Sequence, residues 1–70
     1  MKPEEIIGKK VVDTKPEYYG DVGVVTDLRH FYGVDRTYAV VQWSENSRHG
    51  EGAIRNYKPE VIGKRLQVRD

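Results

Sequence analysis

Short runs rich in valine, threonine and tyrosine recur along the chain between clusters of glycine, proline and asparagine. No segment sustains the roughly 3.6-residue apolar repeat of an amphipathic helix. The pattern predicts strands at residues 9–14, 22–28, 37–43, 51–55 and 65–69, joined by the loops KPEYYGD, RHFYGVDR, SENSRHG and NYKPEVIGK. In the last strand Leu66 and Val68 alternate with Arg65, Gln67 and Arg69, as in a strand with one wet face. Five short strands leave edges that need hiding, and closing the sheet into a small barrel hides them. The expected fold is therefore all-β, a five-stranded barrel spanning residues 1–70 as one domain.

The chain echoes itself, since KPEEIIGKKVV at 2–12 returns as KPEVIGKRLQV at 58–68. Residues 13–57 show no further repeat, so the echo reads as two strands entered through the same device, a short 3-10 turn near the N-terminus and another before the last strand. Ile6 and Ile7 are expected to pack at the first entry, Val61 and Ile62 at the second.

The segment YYGDVGVVTDL, residues 18–28, has glycines that suggest a phosphate loop, but it lacks the Lys-Ser/Thr of a P-loop. The β-branched run Val24, Val25, Thr26 that follows resists helix formation, so no helix N-terminus waits there for an anion. Gly20 suits a turn with positive φ, and Gly23 is expected at a bulge or tight bend.

A chain of this length buries only about 60% of its unfolded surface, which makes a deep catalytic cleft improbable. Cysteine is absent, excluding disulfides, thiolate chemistry and cysteine-based zinc sites. MKPEEIIGKK has acids and a proline where a signal peptide needs an apolar run, and no stretch is apolar enough to span a bilayer. The expectation is a soluble cytoplasmic protein with no membrane association. The net charge of +1 is unevenly spread: residues 1–28 set four lysines against six acids, and residues 29–69 set eight Lys and Arg against four acids. The second half is the basic half.

IGKKVVDTKPEYYGDVGVVTDL at 7–28, about a third of the chain, resembles the KOW motif of ribosomal proteins and transcription elongation factors: strand, loop, glycine, hydrophobic residue, glycine, strand. VVQWSENSRHGEGAIRNY at 40–57 looks like the later strands of Tudor-like and Mind-bomb-type domains. Both resemblances imply a small SH3-like barrel, the first with RNA or protein partners and the second with peptide partners. The KOW-like loop departs from the basic pattern of nucleic-acid-binding relatives, because Glu17 and Asp21 oppose Lys15.

Two constellations are candidates for binding. RHFYGVDR interleaves Arg29, His30 and Arg36 with Phe31 and Tyr32, and single-stranded nucleic acid calls for such a mixture, arginine for phosphate and rings for bases. Lys58, Lys64 and Arg65 are expected to support it, with Arg48 and Arg55 adding charge. The alternative is that Phe31 or Tyr32 plugs a hairpin beside solvated arginines. The second constellation gathers Tyr18, Tyr19, Trp43 and Tyr57 beside Arg48 and His49, a possible groove or cage for a peptide or cation. Its alternative is that Trp43 and one tyrosine cap a small core.

His30 and His49 have no carboxylate cluster at metal spacing, so neither a metal nor another cofactor is expected. Ser44, Ser47 and His49 share a loop without an evident oxyanion site, and catalysis is not expected. The sequence points to a binding module. RNA or single-stranded DNA is the first partner expected; a protein is the second, met as an adaptor subunit or as a small inhibitor of a host protein.

Overall fold

The computed structural model describes residues 3–69 of the chain. Strands β1 (Lys10–Asp13), β2 (Val22–Phe31), β3 (Arg36–Trp43), β4 (Ile54–Tyr57) and β5 (Leu66–Arg69) form one sheet in the order β4-β3-β2-β1-β5. Every ladder is antiparallel. Single 3-10 turns at Pro3–Ile6 and Pro59–Val61 sit where the echoed segments were expected to place them, and a third spans Pro16–Tyr18. Of the four expected anchors, Ile6 is buried and Val61 and Ile62 pack partly buried against the core. Ile7 instead faces solvent.

One face of the sheet carries the core: Val11, Val25, Ala39, Val41, Trp43 and Leu66, with Ile6 closing over them. The alternation of β-branched residues explains most of this, because inward positions recur every second residue. Gly23 belongs to the same face. A Cβ there would lie 2.8 Å from Trp43 Cε3 and 2.8 Å from Val41 Cγ1, so the missing side chain is the space the indole occupies. Gly20 takes the expected left-handed turn at φ 88.

The expected irregularity at Gly23 occurs three residues later. Gly23 pairs regularly with Val11 and Trp43, and the register of β2 against β3 shifts between Val25 and Asp27. This bulge at Thr26 reverses the facing of all that follows on β2. Simple alternation from Val25 would turn Asp27, Arg29 and Phe31 inward. With the bulge, Leu28 joins the core margin opposite Ala39, while Arg29 pairs with Tyr38 and Phe31 with Arg36 on the outer face.

Two other boundaries differ from those expected. Strand β2 continues to Phe31, so most of RHFYGVDR is hairpin and only residues 32–35 are turn. The last short strand before the final turn begins at Ile54, because the bond from the Ala53 amide to the Gly50 carbonyl, at 3.2 Å, keeps residues 50–53 in a turn. No helix among the described residues is long and apolar enough to cross a membrane.

Candidate functional site

The two candidate constellations lie apart, one locked and one open. At the locked end, β1 finishes on Asp13, an inward position following Val11, so its carboxylate enters the core with no exposed surface. A buried charge is tolerated only when its lone pairs are filled. Four donors fill them. Lys15 N–H and Arg65 Nε donate to Oδ1 at 2.9 and 3.0 Å, and His49 Nε2 and Arg65 Nη2 donate to Oδ2 at 2.8 and 2.9 Å. Burial alone would raise the Asp13 pKa, but the Arg65 guanidinium, the Lys15 amide and the His49 hydrogen bond together hold it below its usual value. Arg65 is correspondingly raised, chiefly by its hydrogen bonds to Asp13.

His49 is stacked between Tyr18 and Trp43, with ring centroids 3.9 Å from each and interplanar angles of 18° and 5°. The indole N–H of Trp43 donates to the Tyr57 hydroxyl at 3.1 Å, and burial raises the Tyr57 phenol above its usual pKa. Arg65 lies over the Tyr18 and Tyr57 rings, 5.9 and 5.5 Å from their centroids. The loop bearing His49 is fastened from below: Asp21 Oδ2 accepts the Arg48 and His49 amides at 2.7 and 3.2 Å.

Chemically, this end is a closed network. The slot between Tyr18 and Trp43, which the sequence offered as a cage, is filled by the chain's own imidazole. Tyr57 joins Trp43 inside, whereas Tyr19 is exposed and makes no ring contact among the described residues. Ser47 Oγ donates to the Gly50 carbonyl at 2.9 Å, away from His49 Nε2. Among the described residues no group of His, Cys, Asp and Glu is placed to hold a metal ion.

The open end is the β2–β3 hairpin, where cross-strand partners share a face. Arg29 beside Tyr38 and Phe31 beside Arg36 make a chequer of guanidinium and ring on the outer face. The Phe31 and Tyr38 rings meet edge to face at 5.3 Å. Phe31, Tyr32, Val34, Tyr38 and Asn56 line an open groove of about 390 Å³, over which Tyr32 projects 87% exposed. The adjoining hollow, lined by Arg36, Thr37, Tyr38, Lys58, Pro59 and Glu60, brings Lys58 to the same end. His30 Nδ1 contacts Thr37 Oγ1 at 3.0 Å, its Nε2 lies 3.2 Å from Asp35, and its ring meets that of Tyr32 edge to face at 4.6 Å.

No ion pair engages Arg29 or Arg36 among the described residues, whereas Arg65 is committed to Asp13 at the far end. Arg29, Phe31, Tyr32, Arg36 and Lys58 thus come together; Arg65 does not join them. The sequence reading passed over Asp13, Asp21, Tyr38 and Asn56. An inward-phase aspartate after Val11 was the available signal for the first; Tyr38 and Asn56 needed the strand register. Comparisons of the chain with protein-family models, curated proteins and solved structures find no match.

Proposed function

We propose that this chain is a non-enzymatic binding module, a small SH3-like barrel of KOW-like or Tudor-like type, that contacts RNA or single-stranded nucleic acid through the outer face of its β2–β3 hairpin. The carrying observation is the chequer of Arg29, Phe31, Arg36 and Tyr38 beside an open aromatic groove, with neither guanidinium ion-paired to a carboxylate among the described residues. Guanidiniums take phosphates and rings take bases, at roughly 1–3 kcal/mol per stacked base. Tyr32 and Lys58 extend the surface. The meander of the first four strands and the return of β5 through a 3-10 turn to pair with β1 support the barrel type, although β4 and β5, the two ends of the sheet, do not pair among the described residues. The closure of His49 between two rings, its Nε2 bound to Asp13, favours a structural over a catalytic histidine.

The test is an NMR shift titration with a short mixed-sequence RNA at low and high salt. Shifts at residues 29–38 should fade as salt rises, with a slope near −0.7 per phosphate contacted, approximately the single-strand value. Replacing Arg29 and Arg36 together by alanine should abolish the RNA shifts and leave the remaining amide spectrum unchanged. Salt-insensitive shifts, or none, would displace this reading.

A protein-interaction module is the second reading, favoured by Val22, Val24 and Ile54, which are exposed on the sheet face that bears the hairpin chequer. An apolar partner face would bind with little salt dependence.

A further inference from the structure

We infer that Asn56 selects the base held in the hairpin groove, and that the base it favours is adenine; this rests on the RNA reading above. Asn56 pairs with Val40 across β3, one step along the same face from Tyr38, so its side chain stands diagonal to the ring that floors the groove. It is exposed, and no hydrogen bond engages its carboxamide among the described residues. A free amide beside a stacking surface is a donor and an acceptor at fixed spacing. Adenine offers the complementary pair at N6 and N7, the geometry in which asparagine bonds a base twice. A purine also presents the larger face to Phe31 and Tyr38.

The charges around the groove favour a polyanion as its occupant. Arg29 and Arg36 flank the rings without ion-pair partners among the described residues, and Lys58 borders the adjoining hollow. Three acids share this end: Asp35 lies 3.2 Å from His30, Asp27 accepts its neighbour's amide, Leu28 N–H, at 2.8 Å, and Glu60 lines the hollow beside Arg36 and Lys58. A strand of nucleotides would place phosphates on the guanidiniums and one base in the groove against Asn56.

The experiment uses four labelled hexaribonucleotides, UUAUUU, UUCUUU, UUGUUU and UUUUUU, titrated by fluorescence anisotropy at low salt into the wild-type chain and the Asn56→Ala variant. The wild type should bind the adenine-containing strand about tenfold tighter than the others, in line with one bidentate base contact. The variant should lose that preference while keeping the affinity for UUUUUU and its salt dependence. Equal binding of all four by the wild type, or an adenine preference that survives in the variant, would overturn the inference and leave RNA binding standing. Binding of none of the four would remove both. Tryptophan fluorescence of the variant, reporting the buried Trp43, checks that the fold is kept.

Discussion

Asp13 carries no exposed surface, and its carboxylate is the point on which residues from two distant parts of the chain converge. His49 lies 36 positions away and Arg65 lies 52. An ion buried with all its lone pairs filled adds little over an apolar replacement, but removing one charge strands the others. Asp13→Asn replaces one acceptor oxygen by an NH₂ group that faces existing donors, leaving Arg65 without its counter-charge. The variant should lose about 3–5 kcal/mol, a large part of the stability of so short a chain. Urea unfolding followed by Trp43 fluorescence measures it, and a loss under about 1 kcal/mol would show that the network is weakly coupled to folding. The inward phase after Val11 marks Asp13 as unusual in the sequence, but its partners, 36 and 52 positions away, become visible only once the strands are placed.

The elements show where local pattern suffices and where it fails. Runs rich in valine, threonine and tyrosine located the first three strands, the fourth was expected three residues too early, and the proline-led segments located the two entry turns. What the pattern lacked was phase. One extra residue at Thr26 exchanges the faces of the hairpin, moving Arg29 and Phe31 from the side that alternation assigns them to the outer face where the candidate site lies. That residue looks like any other strand threonine. Two glycines in and beside the same strand separate packing from chain flexibility. Gly23→Ala forces a Cβ against Trp43, Val41 and the Gln42 carbonyl, 3.1 Å from its oxygen, and should cost about 1–3 kcal/mol as overpacking. Gly33→Ala, in the hairpin turn, meets nothing within 4 Å and has no positive φ. It should be neutral or stabilise by about 0.4–1 kcal/mol through the unfolded chain. Paired urea midpoints decide whether Gly23 is there for the indole.

On the scale of the whole molecule, one end of the sheet is fastened by ionic and stacked contacts while the other is left open, so stability and binding draw on different residues. The fastened end also sets the response to acid. Asp13 is held below its unfolded value of roughly 4, so its contribution is full above that value and is lost as the pH falls through the lower folded one. Acid also leaves the charges of twelve Lys and Arg uncancelled, adding self-repulsion. Stability should therefore fall below about pH 4. Arg65→Gln removes the largest influence holding the Asp13 pKa down, leaving burial to push it up. In that variant the acid transition, followed by Trp43 fluorescence, should move to higher pH, whereas Arg29→Ala at the open end should leave it in place. If the Arg65 and Arg29 variants unfold at the same pH as the parent chain, the carboxylate at the end of β1 does not govern the acid limit of this fold.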